Sequence, residues 1–106
     1  MTYEFDAELW LWQARQADSW TFMSLPPDVA DDILDVAAPV VRGFGSVRVE
    51  VTLGATVWRT SLFPDKSRGT YVLPIKKAVR TAEGLSAGDR SRVRLTLVDL
   101  SPTALG

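Results

Sequence analysis

Two Leu-Pro junctions 48 residues apart constrain this chain more than any other feature. Ser24-Leu25-Pro26 and Val72-Leu73-Pro74 each close a β-favouring stretch and lead into a segment with helical spacing. The alternating runs that follow begin at Val47 and Val93, an offset of 46. Near-constant offsets read as an internal repeat of a strand–strand–helix–strand unit, with pseudo-repeats 1–54 and 55–106 inside one domain. One such unit cannot bury a sheet face alone, but two can do so by pairing. The expected fold is mainly β: a small closed or nearly closed barrel of six strands with two short helices at its flanks.

The local patterns behind this order are explicit. Tyr3, Phe5, Ala7, Leu9 and Leu11 share one parity and Glu4, Asp6 and Glu8 the other, the period-two signature of a half-buried strand over residues 3–12. Residues 13–18 are polar and read as a connection. Trp20 to Leu25 is the second strand, stopped by Pro26-Pro27. A helix then runs from Pro27, with Asp28 in its first turn, Val29, Ile33, Val36 and Ala37 on one face, and Pro39 as its limit.

After the turn-like Gly43-Phe44-Gly45-Ser46, Val47, Val49, Val51 and Leu53 alternate with polar residues, and Gly54-Ala55 turns the chain into a strand over residues 57–63. Residues 64–69 form a polar loop, 70–73 a short strand, and 75–83 a helix that Gly84 terminates. A turn at Ser86-Ala87-Gly88-Asp89 precedes the last strand, marked by Val93, Leu95 and Leu97, and residues 101–106 read as a frayed tail.

Composition removes several chemistries. The 106 residues contain no cysteine, hence no disulfide, thiolate nucleophile or thiolate metal site, and no histidine, the commonest general base and metal ligand. Hydrophobic residues at 46% and charged residues at 24% describe a folded, soluble chain. Met1 to Asp6 has no basic region leading into an apolar run, and no apolar stretch approaches the length that spans a bilayer. A cytoplasmic monomer that needs no cofactor and no metal, and meets no membrane, is expected.

Charge is unevenly divided. Residues 1–54 carry three basic and nine acidic side chains, whereas residues 55–106 carry nine basic and four acidic ones. The basic set divides in two. Arg90, Arg92 and Arg94 share one strand face and pair most simply with the acids of the first half. Arg59, Lys66, Arg68, Lys76, Lys77 and Arg80 remain as a candidate binding face for an acidic protein or a small anionic ligand. That predicts a non-enzymatic binding module. The alternative is a small-ligand enzyme with a pocket near Thr60, Ser61 and Tyr71.

Other signals are weaker. Trp20 and Trp58 are expected in the core, while Trp10 and Trp12 lie on the polar parity of the first strand, where they can cap a barrel end, stack on arginine or line a contact surface. Asp28, Asp31, Asp32 and Asp35 read as a solvated helix face, because hard-cation sites also recruit loop carbonyls.

One longer pattern is familiar. Trp58-Arg59-Thr60-Ser61-Leu62, Pro64, the run Gly69-Thr70-Tyr71-Val72-Leu73-Pro74-Ile75-Lys76-Lys77-Ala78-Val79-Arg80, then Gly84-Leu85 and Gly88-Asp89, resembles the family called domain of unknown function 1905. Phe5-Ala7-Leu9, Trp20 and Leu25-Pro26 before Val29 extend the likeness over nearly the whole chain. The resemblance implies a double-split β-barrel, the fold of AbrB-like transcription regulators, where two chains supply the two halves. Ser91 departs from the pattern, which is usually apolar there. The family brings no catalytic residue with it. AbrB-like dimers offer two equivalent basic surfaces to DNA; here one half is strongly acidic, so nucleic-acid binding is not expected.

Overall fold

In the computed structural model, residues 2–15, 18–37 and 45–98 are described, without the side chains of residues 13–15, 18 and 19. The order is β1 (Thr2–Arg15), β2 (Asp18–Ser24), α1 (Pro27–Ala37), β3 (Val47–Leu53), β4 (Thr56–Asp65), β5 (Thr70–Pro74), α2 (Lys77–Glu83) and β6 (Arg90–Leu97). The strands close into an antiparallel barrel in the circular order β1-β2-β5-β4-β3-β6. Neither helix is long and apolar enough to cross a membrane.

Exchanging β1, β2 and β3 for β4, β5 and β6 leaves that order unchanged. Two ladders, β2–β5 and β3–β6, then map onto themselves. Ser24 lies opposite Val72 in the first, and Glu50 opposite Thr96 in the second. These are the residues that the offsets of 48 and 46 equate.

The barrel interior follows from strand parity. Phe5, Ala7, Leu9, Met23, Val47, Val49, Val51, Leu53, Leu62, Leu73, Val93 and Leu95 form one buried cluster. Alternating positions on β3 and β6 bury every apolar member of the period-two pattern. Removing these side chains from water is the main stabilising term, roughly 1.5–3 kcal/mol for each large aliphatic group. Helix α1 adds Ala30, Ile33 and Ala37, spaced to form one stripe. The shorter α2 buries only Val79, and ends where Gly84 takes the left-handed φ of 65°, letting backbone N–H groups return to the Arg80 and Thr81 carbonyls.

Several boundaries differ from expectation. β1 continues to Arg15 and β2 begins at Asp18, because cross-strand bonding extends the hairpin through residues assigned to a polar connection. Leu11 shares the inward parity but is 51% exposed. β6 accompanies β1 only as far as Glu8, so beyond Leu9 there is no barrel for Leu11 to face. Pro64 and Asp65 belong to β4, opposite Tyr71 and Thr70, and not to the loop. Ile75 and Lys76 precede α2: the Ile75 N–H donates to the Thr21 carbonyl at 2.8 Å, and Lys76 is extended. Ser91 sits within β6 opposite Ala7. The Pro39 limit, Gly43-Phe44 and the tail at 101–106 lie outside the described residues.

Candidate functional site

A missing hydrogen-bond donor borders a broad concavity on the barrel wall. Within a strand, successive N–H groups point to opposite neighbours. The Ile75 N–H points to β2, where it meets Thr21, so position 74 points to β4. Position 74 is proline and has no N–H to give. The β4–β5 ladder accordingly holds only from Asp65–Thr70 to Phe63–Val72 and then parts. Between the separated strands lies a slot of about 550 Å³.

The slot is walled by rings. Trp12, Trp20 and Phe22 approach from the β1–β2 hairpin, Trp58 and Phe63 from β4, and Val72, Pro74 and Ile75 from the β5 side. Trp12 and Trp20 face each other across the hairpin, and the Trp20 and Phe22 rings stack with planes 12° apart. Trp20 is 55% exposed, which overturns its expected core position: it alternates with the buried Thr21 and Met23 and so lies on the outward face of β2. Trp58 is half-buried and packs against the core as well as lining the slot.

Polar groups are few. Arg59 and Lys76 line the slot, and extending the β4–β5 register brings them level with each other. Neither forms an ion pair among the described residues. Thr60 adds a hydroxyl. Thr21, only 6% exposed, is the buried polar residue of the barrel. Its hydroxyl makes no hydrogen bond to a described side chain or backbone group, yet no fully buried side-chain polar atom there lacks a partner. Thr21 is one of the residues that line the slot.

The Pro26 junction shows why the other side has no equal opening. Leu25 donates to the Tyr71 carbonyl, so Pro26 turns its missing donor towards β1. On that side the Tyr3 hydroxyl of β1 donates to Asp32 of α1. Burial and this carboxylate push the Tyr3 pKa up to about 12.

The remaining candidates disperse. Lys66 and Arg68 border a neighbouring groove of about 300 Å³ with Trp10. Asp65 takes hydrogen bonds there from Ser67 and from Arg68, which hold its carboxyl below the usual value, and it places negative charge where an anion would sit. Lys77 and Arg80 lie on α2 and line none of the described concavities; the Arg80 Nε reaches the Ile75 carbonyl at 3.3 Å. Thr60, Ser61 and Tyr71 do not share a pocket: Thr60 faces the slot, Tyr71 borders a third groove beside α1, and Ser61 lines neither. Of the arginine stripe, Arg94 and Arg92 pair with Glu4 and Asp6 at 3.0–3.7 Å across β1–β6, while Arg90 lies opposite Glu8 in register and forms no ion pair among the described residues. Among the described residues no cluster of acidic side chains is arranged to hold a metal ion.

A closed six-stranded barrel carrying a cation-edged aromatic slot on its wall defines the class of this molecule. The chain belongs to the DUF1905 family, a domain of unknown function, whose pattern matches residues 5–95. The matched span includes every slot residue. No curated protein matches the chain.

Proposed function

We propose that this protein is a non-enzymatic, monomeric, cytoplasmic binding module whose ligand seats in the slot between β4 and β5. Of the six cations considered, Arg59 and Lys76 meet the ligand's negative charge; Lys66, Arg68, Lys77 and Arg80 stand outside. The observation that carries this reading is the coincidence around one concavity of five aromatic side chains with two cations that form no ion pair among the described residues. Concave, mostly apolar sites with a few convergent polar groups are the usual form of ligand pockets, and this volume falls within their range of roughly 300–1,000 Å³.

A screen of small anions and acidic peptides, followed by the indole N–H resonances, tests the reading. Binders are expected to shift Trp12, Trp20 and Trp58 and to leave unchanged from solution. A slot-filling Thr60→Phe variant is expected to lose them. Binders that move only Trp10, or that survive the filled slot, would overturn the assignment. Chemical turnover of a binder would favour the enzymatic alternative. Light scattering checks the monomer.

A further inference from the structure

We infer that the slot selects a small, flat aromatic carboxylate. This rests on the binding reading above and adds the chemistry of the occupant. Aromatic side chains dominate the walls, with Trp20 contributed by β2 and Trp58 by β4, beside the point where the β4–β5 ladder ends. Flat rings gain offset or edge-to-face contacts beyond the area they bury, a preference that saturated bodies of equal volume lack. Arg59 supplies a planar fork matched to a carboxylate, and Lys76, level with it, adds a second cation.

The third point of recognition is Thr21. Thr21 is nine-tenths buried, lines the slot, and forms no hydrogen bond to a described side chain, so its hydroxyl is available to bond a ligand seated there. It lies level with Ile75, one step along β2 from Trp20 and thus one position from the level shared by Arg59 and Lys76. A ligand whose carboxylate meets the cations can place a ring substituent or the second carboxylate oxygen against it. The local charge favours an anion as well, since no acidic side chain lines this slot.

The test compares three probes on the intact chain by the indole N–H resonances. These are 2-naphthoate, 2-naphthylmethanol (flat and neutral) and cyclohexanecarboxylate (charged and not flat). The naphthoate is expected to shift Trp20 and Trp58 and to bind about tenfold more tightly than either comparator, the effect of one charge-assisted hydrogen bond. Arg59→Gln should weaken the naphthoate about tenfold and leave the alcohol unchanged. Lys77→Gln, the same charge change outside the slot, should alter neither. Thr21→Val, which keeps the side-chain shape, should weaken the naphthoate severalfold, with unchanged free-state resonances reporting an intact fold. If the alcohol or the cyclohexane acid matches the naphthoate, the ligand class is overturned while the slot remains a binding site. If no probe moves the slot indoles, both readings fall.

Discussion

The Arg68 guanidinium lies 4.1 Å from the centroid of the Trp10 ring while its Nη1 donates to the Asp65 carboxylate at 2.9 Å. Trp10 in turn donates from its indole nitrogen to the Ser24 hydroxyl at 2.9 Å. One ring therefore ties the turn after β4 to the β1–β2 hairpin, and a side chain that looked free to meet a ligand is already engaged. Arg68 acts in structure here, and Asp65 sets its pH dependence.

Asp65 titrates below its ordinary value because Ser67 and then Arg68 donate to the ionised form. A depressed folded pKa gives stability that is complete above about pH 4 and vanishes as pH falls through the folded value. Asp65→Asn should cost a few tenths to about 1 kcal/mol at pH 7. Urea unfolding at pH 7 and pH 2 checks this: the gap to the wild type should close in acid. An equal gap at both values would show that ionisation contributes nothing.

Tyr3 gives the opposite limb. Its pKa is raised from 10.0 to about 12, first by burial and then by Asp32, so the folded protein favours the neutral phenol. That preference is fully present below pH 10 and is lost between pH 10 and 12. Thermal melts of Tyr3→Phe should therefore decline less over this window than those of the wild type. Parallel alkaline curves would contradict the assignment.

Gly54 and Gly69 both require positive φ, but their surroundings differ. A Cβ at Gly69 meets nothing, whereas at Gly54 it collides with the Glu83 carboxylate, which accepts a 2.6 Å hydrogen bond from Thr56. Gly69→Ala should cost about 1 kcal/mol from backbone strain alone, and Gly54→Ala measurably more. Adding Glu83→Ala should recover part of the Gly54→Ala loss. Simple additivity in this cycle would place the strain elsewhere.

Pro74→Thr restores an N–H directed at β4. The β4–β5 ladder is expected to lengthen towards Ser61, and hydrogen exchange should reveal a protected amide at position 74. The slot narrows in consequence, so 2-naphthoate affinity should fall severalfold. An unprotected amide with undiminished binding would show that proline is not what keeps the strands apart.

Much of the architecture was legible in the chain because its causes are local. Alternation at Val47, Val49, Val51 and Leu53 sets which side faces inward, Pro26 and Pro74 interrupt strands, and Gly84 ends α2, each through the geometry of a few adjacent residues. The same logic anticipated that Arg92 and Arg94 would be neutralised by first-half acids. The core position expected for Trp20 was wrong on the same logic, since Trp20 alternates with the buried Thr21 and Met23 and so points outward; for Leu11, periodicity gave the inward side but not whether a neighbouring strand is there to cover it.

The candidate site belongs to the other category. Residues 59 and 76 lie on different elements, and only the folded barrel brings both to the rim of one slot. That Pro74 opens the wall depends on Ile75 spending its N–H on β2, which turns the neighbouring position towards β4. Element order, strand parity and the end of α2 at Gly84 were determined by the amino-acid sequence alone, through short-range sterics and hydrogen bonding. Which cations stay free, and where the barrel wall parts, were decided only by the tertiary structure, because both depend on what each strand finds beside it once the ring has closed.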